Sequence, residues 1–167
     1  MQRVAIVGCA GAGKTTLALA LAQRTGLPVV HLDGEFWNAG WVPTPDADWA
    51  ARVAALAARE RWILDGDYGG TMEARLERAD TIVFLDVPFW RCLWRVLARR
   101  VRHHGRVRPE LPDGCRERLD AAFLAYVLTY DLRRRRRVLE RIERVAHGRR
   151  VEVLRGPADV ARFLETL

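Results

Sequence analysis

Gly8-Cys9-Ala10-Gly11-Ala12-Gly13-Lys14-Thr15 matches the pattern G-x-x-x-x-G-K-S/T at every fixed position. The apolar run at residues 4–7 before it predicts a buried strand, and residues 15–24 after it have apolar side chains at helical spacing. A glycine-rich turn between a strand and a helix directs backbone N–H groups, and the positive end of the helix, toward an anion. The sequence therefore predicts a phosphate-binding loop, or P-loop, at the start of the chain.

Of the 28 Lys and Arg residues, Lys14 is the only lysine, and all the others are arginine. In such a loop a compact ammonium reaches the β- and γ-phosphates of a nucleotide, and the Thr15 hydroxyl is a ligand for Mg²⁺. We therefore expect ATP and Mg²⁺ as cofactors. The other residues expected to bind the nucleotide here are Gly8, Ala10, Gly11, Ala12, Gly13 and Thr16.

Strand and helix patterns alternate along the rest of the chain. The predicted strands are Arg3–Gly8, Val29–Asp33, Arg61–Asp65, Thr81–Val87 and Arg150–Leu154, and the predicted helices cover residues 15–24, 46–61, 72–78, 88–102, 116–147 and 157–167. The strands are apolar throughout, as strands covered on both faces are. The pattern predicts a single α/β domain over residues 1–167, a three-layer α/β/α P-loop NTPase fold with a five-stranded parallel sheet.

The net charge of +7 and the isoelectric point near 10.3 indicate anionic partners, whether nucleotide, nucleic acid or membrane surface. No apolar run is long enough for a membrane span, and the N-terminus lacks a signal-peptide pattern. The three cysteines form neither a disulfide framework nor a zinc pattern, so we expect a cytoplasmic protein. Without a second lysine there is no N-K-x-D signature, which argues against a GTPase and favours a compact kinase.

Three predicted strands end in or near an aspartate, and ligands of parallel sheets bind beyond these strand ends. Asp65 is a candidate Mg²⁺ ligand beside the phosphates, or it simply starts an Asp-Gly turn. Asp33 either orients and deprotonates an acceptor hydroxyl or caps its own loop. Asp86 is interpreted as a structural residue, and His31 as a satisfied core histidine.

Arginines recur on one face of the predicted helix 88–102, at Arg91, Arg95, Arg99 and Arg102. Without acidic partners nearby, this stripe faces phosphate or forms a solvated surface. The Gly- and Pro-rich segment that follows favours a small arginine-rich lid over approximately residues 100–118, which would close over nucleotide and exclude water.

Two further patterns have two interpretations each. The run Arg133–Arg137 is read mainly as a solvated basic surface, with nucleic-acid contact as the alternative, although no recognisable nucleic-acid-binding motif accompanies it. Trp37 and Trp41 either stack on a planar base or pack their loop against the core.

Four segments together resemble a known family. Gly8–Thr15, His31-Leu32-Asp33-Gly34-Glu35-Phe36-Trp37, Trp62-Ile63-Leu64-Asp65-Gly66-Asp67-Tyr68 and Phe84-Leu85-Asp86-Val87-Pro88 are similar to the adenylate-kinase-like P-loop proteins labelled DNA topology modulation proteins. The resemblance implies a fold like that of nucleoside monophosphate kinases over essentially the whole chain. It also implies that Arg95 lies near the ATP base, that Arg99 lies near the transferred phosphoryl group, and that Arg155 and Pro157 pass along the adenine.

The acceptor side departs from true adenylate kinases. Residues 67–71 read Asp-Tyr-Gly-Gly-Thr rather than Phe-Pro-Arg, and Arg75 is the nearest arginine that could replace the missing acceptor contact. The leading hypothesis is transfer of the γ-phosphoryl group of Mg-ATP to a nucleoside monophosphate. The alternatives are a small-molecule hydroxyl kinase with Asp33 as base, and an ATP-regulated nucleic-acid-binding protein that affects DNA topology. The expected catalytic residues are Lys14, Arg95, Arg99 and Asp33, the acceptor residues Asp33, Trp37, Asp65 and Arg75, and the metal ligands Thr15 and Asp65.

Overall fold

The computed structural model describes residues 1–102, 111–115 and 120–167. Five parallel strands form the central sheet in the order β2-β5-β1-β6-β7. Two further strands, β3 and β4, pair as a short antiparallel hairpin. The strands are β1 Arg3–Gly8, β2 Val29–His31, β3 Trp37–Asn38, β4 Val42–Pro43, β5 Trp62–Asp65, β6 Thr81–Leu85 and β7 Arg150–Leu154.

The predicted three-layer fold with a five-stranded parallel sheet is confirmed. Alternate residues of each strand face opposite layers, so that Val4 and Ile6 of β1 contact one apolar cluster while Ala5 and Val7 contact the other. Helices cover both faces. They are α1 Lys14–Thr25, α2 Leu32–Phe36, α3 Asp46–Ala57, α4 Met72–Leu76, α5 Phe89–Arg102, α6 Ala121–Leu128, α7 Tyr130–Arg133, α8 Arg135–Val145 and α9 Pro157–Glu165.

Strand β1 lies between β5 and β6, and this register decides what stands beside the P-loop. Ile6 pairs with Asp65 of β5 and with Val83 of β6. Because the strands are parallel, their carboxyl ends reach the same edge of the sheet. The P-loop, which follows β1, therefore begins next to the carboxyl end of β5.

The second strand is two residues shorter than predicted, so the predicted position of Asp33 at its end is wrong. β2 ends at His31, which pairs with Asp65, the last residue of β5. Beyond that point β2 has no neighbouring backbone to bond, so the chain turns into α2 and buries Leu32 in the core. Asp33 lies in this short helix rather than at a strand end, and residues 37–43, predicted as loop, form the hairpin.

The long helix predicted over residues 116–147 is divided, within residues 121–145, into α6, α7 and α8. The helical path breaks at Thr129, whose hydroxyl bonds the Ala125 carbonyl, and again at Arg134. The breaks turn Tyr130 into the core, where it is 2% exposed, and let Asp131 accept the backbone N–H of Phe89. The predicted lid at about 100–118 lies largely outside the described residues, since 103–110 and 116–119 are not part of them.

Two expectations from composition can be compared with the described residues. Among these, no helix has the length and apolar character that crossing a membrane requires. Cys9, Cys92 and Cys115 are buried free thiols.

Helix α5 packs directly against the P-loop at Gly11. A Cβ atom at this position would lie 2.5 Å from the carbonyl oxygen of Cys92, and the Gly11 φ of +82° is one that other residues rarely adopt. The second glycine of the motif thus allows the helix and the loop to approach each other.

Gly11→Ala is expected to lower the free energy of unfolding by about 2 kcal/mol, because it combines backbone strain with a clash against backbone atoms. Urea unfolding measures the change. Gly70→Ala is the control, since its added Cβ meets nothing within 4 Å. Equal stability of the two variants would contradict the close packing of α5 on the P-loop.

Candidate active site

A cavity of about 710 Å³ opens at the carboxyl edge of the sheet, over the P-loop. Its walls come from the P-loop and α1, the ends of β2 and β5, α2, the β3–β4 hairpin, α5 and α6. The predicted site residues that line it are Ala10, Gly11, Gly13, Lys14, Thr15, Thr16, Asp33, Trp37, Asp65, Arg95 and Arg99. The predicted residues Gly8, Ala12, Arg75, Arg155 and Pro157 are not part of its lining.

The Lys14 ammonium lies inside the curve of the P-loop. Nζ donates hydrogen bonds of 2.9 Å to the Gly8 carbonyl and 3.0 Å to the Cys9 carbonyl. An ammonium has three N–H donors, so this arrangement uses two of them to hold the side chain and leaves one for a phosphate oxygen. The loop thereby fixes a positive charge at the floor of the cavity.

Asp65 connects the P-loop helix to the neighbouring strand. Its Oδ2 accepts a 2.9 Å hydrogen bond from the Thr15 hydroxyl and lies 2.9 Å from Nδ1 of His31. An ionised carboxylate only accepts hydrogen bonds, so Nδ1 carries the proton in this contact. The interpretation of His31 as a core histidine needs correction, because its half-buried ring lines the cavity beside Asp65.

The same corner of the cavity suits Mg²⁺. The Thr15 hydroxyl and the Asp65 carboxylate are oxygen donors, the kind that this ion prefers. In the part of the chain that the structure describes, no three His, Cys, Asp or Glu side chains come together as a metal site. Mg²⁺ bound to a nucleotide takes only one or two protein groups together with phosphate oxygens and water, so the donor set fits such an ion.

Asp33 faces the cavity from α2 and is held there by Tyr68. The Tyr68 hydroxyl donates a 2.7 Å hydrogen bond to Oδ1 of Asp33. Burial raises the pKa of Tyr68, and the charge of Asp33 raises it further, so the phenol remains protonated as a donor. Tyr68 adopts a φ of +27°, a strained value for a residue with a side chain. Among the described residues, no hydrogen bond reaches the other carboxylate oxygen of Asp33.

The two tryptophans of the hairpin both pack and line the cavity. Trp37 and Trp41 meet edge to face with ring centres 5.2 Å apart, and Trp37 contacts Phe36 in the same way at 4.8 Å. Phe36 in turn touches Trp49 and Tyr68. Aromatic packing therefore anchors the hairpin, and parts of Trp37 and Trp41 still form the cavity wall.

Arg75 requires a correction, since it does not reach the cavity. The side chain is 0% exposed, and its guanidinium donates to the carbonyls of Gly66 (2.9 Å) and Asp67 (2.8 Å). Burial lowers the pKa of Arg75 to about 10, with Asp67 and Asp65 opposing the shift, so the group stays charged at neutral pH. Arg75 holds the loop after β5 in place and does not contact an acceptor in this geometry.

The arginines of α5 stand on the opposite side of the P-loop from α2. Nη1 of Arg95 donates to the carbonyls of Ala12 (3.0 Å) and Gly11 (3.5 Å), so that its positive charge lies against the loop. Arg99, one turn further along α5, also lines the cavity. Both arginines therefore line the cavity beside the P-loop. The predicted places of Arg95 near the ATP base and of Arg99 near the transferred phosphoryl group stay predictions.

Arg155 lies away from this cavity and pairs with Asp86 at 3.6 Å. Asp86 also accepts two hydrogen bonds from Arg135, of 2.6 and 2.8 Å. Asp86 is thus structural, as the sequence suggested, but it acts as an ion-pair partner. Neither Arg155 nor Pro157 is near enough to line the site, so their predicted contact with adenine lacks support from the lining residues.

Sequence reasoning missed a second carboxylate and the tyrosines that hold it. The Asp67 carboxylate accepts hydrogen bonds from the hydroxyls of Tyr126 (3.2 Å) and Tyr130 (3.3 Å). Burial, and then the charge of Asp67, raises the pKa of both tyrosines. The only signal for Asp67 was its place after Leu64-Asp65-Gly66. For Tyr126, nearly 60 residues away, no local pattern pointed to the site.

Comparison with known proteins supports the fold. The chain superposes on shikimate kinase from Acinetobacter baumannii, in complex with shikimate, with a TM-score of 0.60, 19% identity and coverage of 99% of this chain and 90% of that one. A sugar kinase from Janibacter sp. superposes with a TM-score of 0.52 and 20% identity, over 99% of this chain and 93% of that one. Deoxyadenosine kinase from M. mycoides with bound dCTP superposes with a TM-score of 0.50 and 10% identity, over 98% of this chain and 97% of that one. The fold is therefore that of P-loop kinases.

The sequence comparisons add little beyond the P-loop region. A family model named Isopentenyl transferase matches residues 1–34, which span β1, the P-loop, α1, β2 and the start of α2. None of the curated proteins is similar enough in sequence to match the chain. The partial match covers Lys14 and Thr15 but includes no residue of the cavity beyond Asp33.

Arg75→Met is expected to destabilise the protein by about 3 kcal/mol, because it leaves buried carbonyls of the loop after β5 without donors. Thermal and urea unfolding measure the loss. Arg78→Met, which replaces an exposed arginine two residues beyond α4, is the matched control and should change stability by less than about 0.5 kcal/mol. A stable Arg75→Met protein would show that the loop does not depend on this guanidinium.

Proposed function

We propose that this protein transfers the γ-phosphoryl group of Mg-ATP to a hydroxyl group of a small molecule, with Asp33 binding and deprotonating that hydroxyl. The observation that carries the proposal is the place of Asp33 in the same cavity as the Lys14 cradle, with its carboxylate oriented by Tyr68. The fold of P-loop kinases is consistent with this activity.

The donor end of the site follows from the P-loop. Its backbone N–H groups and the Lys14 ammonium would bind the β- and γ-phosphates, and Arg95 and Arg99 would add positive charge beside them. Thr15 and Asp65 would hold Mg²⁺, which, when bound, neutralises charge on the phosphate oxygens. His31 fixes the orientation of Asp65 through its Nδ1 proton.

The acceptor end would work by positioning and proton transfer. The free carboxylate oxygen of Asp33 accepts a hydrogen bond from the acceptor hydroxyl and takes its proton as the oxygen attacks the γ-phosphorus. The new O–P bond forms while the bond from the γ-phosphorus to the bridging oxygen breaks, and the electron pair leaves with ADP. The proton on Asp33 then passes to solvent when the products depart.

A nucleoside monophosphate acceptor is the second candidate, and one observation favours it. Trp37 and Trp41 present aromatic surface to the cavity, where a planar base could stack. An acceptor phosphate needs no general base, so Asp33 would then only position the ligand. The arginine that the sequence offered for that phosphate, Arg75, is buried in the loop after β5, which makes the hydroxyl acceptor the better supported of the two.

Lys14→Ala is expected to reduce phosphoryl transfer by about a thousandfold or more, because the variant removes the charge beside the transferred group. The measurement is ADP formation in the presence of an acceptor panel of nucleoside monophosphates, sugars and hydroxy acids. Full activity in this variant would refute the assignment of the P-loop.

Asp33→Asn is expected to reduce kcat on a hydroxyl acceptor by about 10²- to 10⁴-fold with little change in the KM for ATP, since the amide cannot take the proton. Asp48→Asn, on the exposed first turn of α3, is the matched control and should behave as the unmodified protein. Normal kcat in Asp33→Asn together with turnover of monophosphates only would favour the second candidate.

A further inference from the structure

The run Arg133–Arg137 does not act as one uniform basic surface. Arg135 forms a two-bond pair with Asp86, and Arg136 pairs with Glu140 one turn along α8. Arg134 lies at the break between α7 and α8. Its exposed side chain lines both the cavity over the P-loop and an outer pocket that it shares with Arg133, Arg136 and Arg137. The break therefore separates one arginine of the run from the ion pairs made by its neighbours.

Arg134 lines the cavity over the P-loop, on the wall formed by α6. Its guanidinium carbon lies 4.9 Å from the centre of the Tyr126 ring, a cation–π contact that holds the group against the wall. Among the described residues, no carboxylate pairs with Arg134, and this contact to Tyr126 is the interaction that the guanidinium makes. A guanidinium placed over a ring still has N–H donors that can bind an anion.

The contacts of α8 place Arg134 on the acceptor side. Arg141, two helical turns after Arg134, donates a 2.6 Å hydrogen bond to the carbonyl of Gly69, which belongs to the loop after β5. Tyr126, beneath Arg134, bonds Asp67 in that same loop. The next residue of the loop, Tyr68, holds Asp33. Arg134 and Asp33 thus face the cavity from two sides of one loop, whereas Arg95 lies against the P-loop carbonyls.

We propose that Arg134 binds an anionic group of the acceptor, so that the substrate is a small molecule with both a hydroxyl to be phosphorylated at Asp33 and a carboxylate or phosphate monoester held at Arg134. This inference rests on the proposed function and deepens it by naming the acceptor class. Trp37 and Tyr68 also line this cavity and give it aromatic surface.

Recognition of this kind selects acceptors by charge as well as by shape. A neutral molecule of the same size would leave the guanidinium in the cavity without an anion, and it would lose a charge-assisted hydrogen bond. Arg134 would act in acceptor binding and not in the phosphoryl transfer itself. Its loss should therefore raise the KM for the acceptor more than it lowers kcat.

The test uses the full chain with ATP, Mg²⁺ and a panel of hydroxyl compounds in matched sets: glycerol, glycerate and glycerol 3-phosphate; ribose, ribonate and ribose 5-phosphate; and hydroxy acids with their amides. We expect turnover to be at least tenfold more efficient with an anionic member than with its neutral counterpart. The carboxylate and phosphate arms show which anion the site prefers.

Arg134→Gln is then compared with Arg133→Gln. Both arginines are exposed, but Arg133 does not line this cavity. We expect Arg134→Gln to raise the KM for the anionic acceptor by about 10- to 100-fold. The KM for ATP and the melting temperature should stay unchanged, and Arg134→Lys should recover part of the affinity. Arg133→Gln should have no effect on any of these values.

Two outcomes overturn the inference in distinguishable ways. Efficient phosphorylation of a neutral acceptor, dependent on Asp33 but unchanged in Arg134→Gln, would refute the anion site and leave the proposed function intact. Failure to phosphorylate any hydroxyl compound, with turnover confined to nucleoside monophosphates, would refute the proposed function and this inference together.

Discussion

The hydrogen bond between the Thr15 hydroxyl and the Asp65 carboxylate holds the two halves of the site together. Thr15 belongs to the first turn of α1, directly after the P-loop, and Asp65 is the last residue of the adjacent parallel strand. The register that pairs Asp65 with Ile6 sets the distance between them. His31 adds a third element, since β2 pairs with β5 at this same residue. Helix α1 and the neighbouring strands β2 and β5 thus meet at one buried carboxylate.

The loop after β5 extends this arrangement toward the side of the cavity where we propose that the acceptor binds. Buried Arg75 fixes the backbone of the loop through the carbonyls of Gly66 and Asp67. With the backbone fixed, Tyr68 donates a hydrogen bond that orients Asp33. The Asp67 carboxylate accepts hydrogen bonds from the hydroxyls of Tyr126 on α6 and Tyr130 on α7. A desolvated guanidinium is costly unless its N–H groups find acceptors. The loop supplies acceptors for Nη1 and Nη2 of Arg75, while the buried Nε has no partner among the described residues. Arg75, which the sequence suggested for an acceptor contact, instead supports the loop after β5 from inside the protein.

Much of the P-loop side of the cavity was predictable, because its sequence signals are local. The P-loop is a contiguous motif whose glycines, lysine and threonine act through short-range backbone geometry, and the alternation of apolar strands and helices was enough for the sheet. Prediction failed where contacts between residues far apart in the sequence determine where a strand or helix ends. β2 stops at His31 because its partner β5 stops at Asp65, and the predicted long helix breaks where Tyr130 turns into the core to reach a loop some 60 residues earlier.

The sequence alone therefore established a P-loop, the strand that precedes it, the helix that follows it, and the only lysine positioned between them. The sequence also pointed to Arg95 and Arg99, which line the cavity. For the other arginines, tertiary structure alone decided which face the cavity and which face carboxylates or carbonyls. Arg75 is buried, Arg135 pairs with Asp86, and Arg134 lies on Tyr126. The physical reason is that an arginine side chain is long and its partner is chosen by proximity in space, so residue type and spacing along the chain do not specify it.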